Sequence, residues 1–237
     1  MGETYASRAQ AGHRDGATES PGFSRPTIMF MVGVPLAWAV LLLFHPKGEA
    51  NAIYRDVHDE VGRTLAVHIG MLLFIPLMAV VIYLLLRGLG GTAARVARIS
   101  LVPFVIFYSA WETLQGIGIG VLVNEVNGLP AAERGTGADL VQDFAEQPLV
   151  RDLGVFAIPG SLGLIAAAIA AGIALHRHAA APLSVAILLG LAGFLITAHP
   201  PPFGPVGLGV FIVAVLLFAR SQSEVRGAAS VGRPRPA

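Results

Sequence analysis

Glu112 and the histidines His45, His58, His68 and His199 are the residues of this chain whose types and spacing could do chemistry. Glu112 is the only acid inside an apolar run, the stretch "SAWETLQGIGIG" at 109–120. Holding a charged side chain at membrane depth costs at least ~2.5 kcal/mol, so one that persists faces the bundle interior and has a partner. On a 3.6-residue helix Ser109, Glu112, Gly116 and Gly120 share one side, flanked by Tyr108 and Gln115 on one edge and Thr113 on the other. That stripe is polar and small. Packing is one use for it, because Gly116 and Gly120 make a G-x-x-x-G spacing that lets a neighbouring helix approach. Binding of a cation, a proton or a small solute at Glu112, with His68, Gln115, Tyr108 and Ser161 around it, is the other.

Imidazoles beside a carboxylate suit Zn²⁺, Fe or Mn, and a catalytic site would keep one coordination position open. Helix rise brings His68 and Glu112 to one depth, and the candidate metal set is His68, Glu112 and His199, with His45 as a further candidate. His58 and His68 share a helix face but stand about 15 Å apart along it, so they cannot hold one ion unless the helix breaks between them. A b-type haem is the redox version, with axial ligands drawn from His45, His68, His199 or Met71. "IPGSLG" (158–163) offers Ser161 as a nucleophile and a helix kink at Pro159–Gly160, although the order is not the G-x-S-x-G of a nucleophile elbow.

The elements that must position these residues are long apolar helices. Of the 237 residues 54% are hydrophobic and 13% charged, against about 45–50% and 25% in ordinary soluble domains. A spanning helix needs roughly 20 apolar residues, and six runs qualify or come close: 27–44, 65–86, 99–123, 153–175, 183–198 and 203–219. The last two are the shortest and are joined only by "HPPPF", as in a tight hairpin. The expected fold is therefore all-α, a polytopic membrane protein with six transmembrane helices occupying 27–219. Lys and Arg favour cytoplasmic loops. With the N-terminus inside, eleven of the sixteen basic residues fall on the inner side and ten of the fifteen acids on the outer. Both counts predict an N-in, C-in topology in an inner (plasma) membrane, with an acidic outer loop at 124–152.

Residues 1–26 and 220–237 mix Gly, Ser, Pro and charge without apolar periodicity, the composition of disordered cytoplasmic tails. Ile53, Val57, Val61 and Leu65 recur at helical spacing, which predicts that the second span extends outward as one long helix. "GADLVQDFAEQ" reads as a short helix with Leu140, Val141 and Phe144 on one apolar side, lying over the outer surface as a lid. The absence of cysteine removes disulfides and thiolate-bound metals. A net charge of +1 and the lack of any phosphate-binding glycine motif give no support to nucleic-acid or nucleotide binding.

Three functional classes follow from this reading. The first is an outward-facing polar cavity that binds a small solute, cation or proton, as in a small transporter. The second is a membrane-embedded metalloenzyme or haem b protein using the same residues. The third is a non-catalytic membrane subunit whose polar stripe packs a partner helix or a second copy of the chain. In each the bilayer is the principal partner.

Overall fold

A computed structural model describes residues 23–46, 52–179 and 181–231. Among these residues every regular element is a helix. We number them α1 (Arg25–Leu42), α2 (Ile53–Val57), α3 (Val61–Leu85), α4 (Gly91–Asn127), α5 (Arg134–Ala145), α6 (Ala157–His178), α7 (Leu183–Thr197) and α8 (Phe203–Val231). With one rise of about 1.5 Å per residue, α1, α3, α4, α6 and α8 are long and apolar enough to cross a bilayer. The chain is thus a multi-pass helical membrane protein.

The fifth expected span, 183–198, is the exception. α7 is apolar but has only 15 residues, about 22 Å of helix against a hydrocarbon core near 30 Å. It pairs with α8 as the expected hairpin, and α8 runs on to Val231, well past the residue 219 read as its end. The N-terminal tail expected at 1–26 falls outside the described residues up to 22, as does the C-terminal tail beyond 231. Between them, α1 already begins at Arg25, where the Ser24 hydroxyl accepts from the Thr27 N–H as an N-cap.

The five long helices and α7 pack as a ring in chain order. α1 meets α3, α3 meets α4, α4 meets α6, α6 meets α7, α7 meets α8, and α8 closes back on α1. One continuous core of Trp38, Met71, Ile75, Phe104, Phe211 and their neighbours fills the bundle. Apolar side chains also cover its outside, among them Leu73, Ile106, Ile187 and Phe194, as expected of lipid-facing surfaces.

Three local departures from the expected helices shape one end of this bundle. The helix read through Ile53–Leu65 is broken: α2 ends at Val57 and α3 starts at Val61. The Asn127 amide donates to the His58 carbonyl at 2.8 Å while its Oδ1 accepts from the Tyr54 hydroxyl. The carbonyl freed at the break is thereby satisfied from α4. α4 itself starts at Gly91, not near Ile99, and runs 37 residues. It contains two π-helical stretches, Phe104–Tyr108 and Thr113–Gly118, on either side of Ser109–Glu112. Such bulges rotate the side chains that follow them and are frequent at functional sites. Finally, α5 buries Gly137, Val141 and Ala145, not Leu140, which is 64% exposed. Together with Val57, Val61, Ile119, Val123 and Val126 it forms a second, smaller core that caps this end.

Candidate functional site

Four polar side chains from different parts of the bundle meet at the capped end. His45 follows the end of α1, His68 lies two turns inside α3, Glu112 sits between the π-helical stretches of α4, and His199 follows α7. One imidazole nitrogen from each of His45, His68 and His199 lies within 4.8 Å of the others. The rings of His45 and His68 are 4.9 Å apart, and those of His45 and His199 4.8 Å.

The hydrogen bonds decide which nitrogens face inward. His45 Nδ1 is 2.8 Å from the Pro46 carbonyl, and His68 Nδ1 is 2.8 Å from the Thr64 carbonyl. A carbonyl can only accept, so both Nδ1 atoms carry the proton and both Nε2 atoms present a lone pair. His45 Nε2 lies 3.1 Å from His199 Nε2. Two ligands at Zn–N distances of about 2.0–2.1 Å with tetrahedral angles stand about 3.3 Å apart, so this pair is already at a metal-ligand separation. Backbone acceptors behind metal-binding histidines are the usual means of fixing tautomer and ring orientation.

Glu112 is 1% exposed and straddles the cluster. Its Oε1 is 3.7 Å from His199 Nδ1, and its Oε2 is 3.9 Å from His68 Nε2. Neither is a hydrogen bond, and Oε1 has no partner among the described residues. A buried acceptor in that condition costs ~1–3 kcal/mol unless something outside the protein chain satisfies it. The Tyr108 hydroxyl is within 3.4 Å of both His199 Nδ1 and the Thr197 carbonyl. Trp111, one residue before Glu112, locks the site from behind: its indole N–H donates to the Val150 carbonyl and its ring meets His199 edge-on at 5.2 Å.

Close helix approach is what makes the cluster possible. A Cβ on Gly116 would overlap the His68 ring itself. The small side of α4 is therefore a packing surface, and what packs on it is a histidine of the cluster. At the other ligand, a Cβ on Gly204 would overlap the His199 carbonyl, so only glycine lets the turn after α7 fold back under α8. The glycines of "IPGSLG" serve packing as well, with the α4 backbone at Tyr108 lying against Gly160. Pro159 falls in the first turn of α6, where proline needs no kink. Ser161 is half-buried and is not among the residues that line the cavity described next.

A cavity of about 1060 Å³ opens beside the three histidines. His45, His68 and His199 form its floor, and Gln115 and Thr64 its polar wall. Ile53, Val57, Ile119 and Pro46 form the apolar side, and Glu146, Arg151, Asp152 and Leu153 the rim. Burial, reinforced by the neighbouring His68, lowers the His45 pKa to about 4. Burial also holds His199 well below the usual histidine range, with His45 and His68 adding to the effect. Both rings are thus neutral at physiological pH, the form that binds metal. Burial raises the Asp152 carboxyl above its ordinary value.

The structure therefore gathers His45, His68, Glu112 and His199, with Tyr108 and Gln115 at their edges. His58 stays apart on the broken turn before α3, its Nδ1 bonded to the Arg55 carbonyl. Sequence reasoning missed Trp111 and Asp152; a buried indole beside an intramembrane acid is a usable signal for the first, and none marks the second. No known family model, curated protein or solved structure matches this chain.

Proposed function

We propose that the chain carries a divalent transition-metal centre, held by Nε2 of His45, His68 and His199, and uses it hydrolytically. The observation that carries this reading is the convergence of three imidazoles from three separate parts of the bundle, two of them tautomer-locked with Nε2 inward, beside a buried carboxylate whose Oε1 makes no hydrogen bond among the described residues. Three neutral imidazoles leave a fourth tetrahedral position, and the cavity supplies access to it. Glu112 is placed to act as general base toward a water at that position, while its other oxygen steadies His199. Three rings in mutual edge contact favour a single ion over a haem, which needs a flat slot between its axial ligands.

The same cavity supports a transport reading less well. On the far side of the cluster Met71, Ile75, Met78 and Phe104 are fully buried. A conduit through the bundle would need a second packing of that core. If the topology is N-in and C-in, as the loop charges suggest, the cavity faces the outer side.

The test uses the full chain purified in detergent, with 4-nitrophenyl acetate as a generic acyl probe. Zn²⁺-dependent hydrolysis is expected, abolished by chelation and by His68→Ala. Glu112→Gln is expected to keep the metal and lose about 10²–10⁴-fold in rate, the range for a general base. Metal binding without any Glu112-dependent hydrolysis would overturn the catalytic reading. Glu112-dependent cation flux into vesicles would replace it with transport.

A further inference from the structure

The lining of the cavity carries the reading one step further, to the kind of molecule it accepts. Its apolar lining is made by Ile53 and Val57 of α2, Ile119 of α4 and Ala145 of α5. Its floor is the histidine cluster. Between them lies Gln115, whose amide N–H₂ reaches Asp152 Oδ1 at 3.3 Å while its Oε1 is buried with no partner among the described residues. An unpartnered carbonyl oxygen beside a metal-binding cluster is an acceptor waiting for an N–H or O–H donor.

Next to the charged rim stands an exposed apolar stretch that a soluble solute does not require. Leu153 is 78% exposed, Val155 55%, Leu149 48% and Ile158 45%. Leu149, Leu153 and Val155 lie in the connection that leads from the lid helix α5 into the membrane helix α6, Ile158 lies in the first turn of α6, and Leu153 lines the cavity itself. Exposed leucines at the junction between a lid and a spanning helix are at home in the bilayer interface, where their apolar surface meets acyl chains. The rim also carries the charged Arg151 and Asp152. A molecule passing this rim meets apolar surface for a chain and polar groups for a head.

We infer that the substrate is a single-chain acyl amphiphile drawn from the membrane, bound with its chain along Ile53, Val57, Ile119 and Ala145. Its acyl carbonyl lies at the metal position, and an N–H or O–H of its head donates to Gln115 Oε1. The reaction is hydrolysis of the acyl bond. Oxygen of the activated water bonds to the carbonyl carbon, and the bond from that carbon to the head-group nitrogen or oxygen breaks. The proton removed by Glu112 passes to that leaving atom, so a carboxylic acid and a free amine or alcohol are released. This inference rests on the metal centre proposed above.

The experiment separates the two. Co²⁺ replaces zinc in the full-length protein in detergent, and its visible absorption reports the ligand set. Acetohydroxamate and lauroyl hydroxamate, which share a metal-binding head and differ in chain, are then titrated against that absorption. The expected result is that the lauroyl probe binds at least about ten-fold more tightly at fixed detergent concentration, since each methylene that leaves water for apolar surface is worth about four-fold. Val57→Trp, or Ala145→Phe should the first not fold, fills the apolar wall and is expected to erase that preference while leaving the acetohydroxamate response intact. Equal binding of the two probes, or a preference that both filled variants retain, overturns the amphiphile inference and leaves the metal centre standing. Failure of the full-length protein to give a tetrahedral Co²⁺ spectrum overturns both.

Discussion

Gly116→Ala is a one-carbon change whose effect the structure allows to be worked out. The new Cβ would overlap the His68 ring, which must retreat by roughly 1.5 Å to reach an ordinary carbon–carbon separation. Metal–ligand distances tolerate about ±0.2 Å, so the His68 Nε2 bond is lost or α3 moves away from α4. Weakening a metal site through groups that merely orient a ligand typically costs 10–100-fold in affinity, and displacing a ligand should reach at least the upper figure, ~100-fold. A free metal concentration of about 1,000 times the dissociation constant stabilises the parent by ~4.1 kcal/mol; the same concentration is then only about ten times that of the variant and gives ~1.4. The difference, ~2.7 kcal/mol of metal-dependent stabilisation, is readable by thermal unfolding with and without Zn²⁺. Gly120→Ala is the control. Its Cβ would meet the end of the flexible Leu65 side chain at 2.7 Å, which can rotate aside, so its metal response should match the parent. A folded Gly116→Ala protein that binds metal as tightly as the parent would refute the assignment of His68 as a ligand.

Further outcomes follow from the same geometry. Alanine at His45 or His199 should abolish stoichiometric metal binding by elemental analysis, whereas His58→Ala should leave it unchanged. In the metal-free protein, a His45 pKa depressed from 6.5 to about 4 makes the unfolded chain bind the proton first. Stability should therefore fall as pH drops from about 6.5 to about 4 and level off below, a slope visible in chemical unfolding and reduced in His45→Gln. Asn127→Ala leaves the His58 carbonyl and the Tyr54 hydroxyl without their partner, and is expected to cost ~1–3 kcal/mol and to raise amide exchange in α2.

Much of this site could be read from residue types alone, because an acid in an apolar run is so costly that it advertises itself. Glu112 and His68 were placeable at one depth by helix rise, and His45 and His199 by their positions at the ends of apolar runs. Metric detail was out of reach for physical reasons. The two π-helical stretches of α4 leave no mark in a 3.6-residue pattern, yet they determine where Tyr108, Glu112 and Gln115 point. The break between α2 and α3 depends on Asn127, more than sixty residues away, while the local spacing of Ile53, Val57, Val61 and Leu65 argues for a continuous helix. Gly116 and Gly120 were legible as a close-packing pair, but that the partner at Gly116 is a ligand ring and at Gly120 a leucine is settled only by the register of α3 against α4. Leu140 illustrates the converse: it belongs to an apolar-looking face, but α5 is held by Val141 and Ala145, and Leu140 stays outside.

The most direct test of the metal centre is X-ray absorption at the zinc edge of the full-length, zinc-loaded protein. Three imidazole nitrogens at about 2.0–2.1 Å with one further light-atom ligand is the expected first shell, and His199→Ala is expected to retain no stoichiometric zinc in such a shell. A shell of oxygen ligands without imidazole scattering, unchanged by that substitution, would contradict a centre built from His45, His68 and His199.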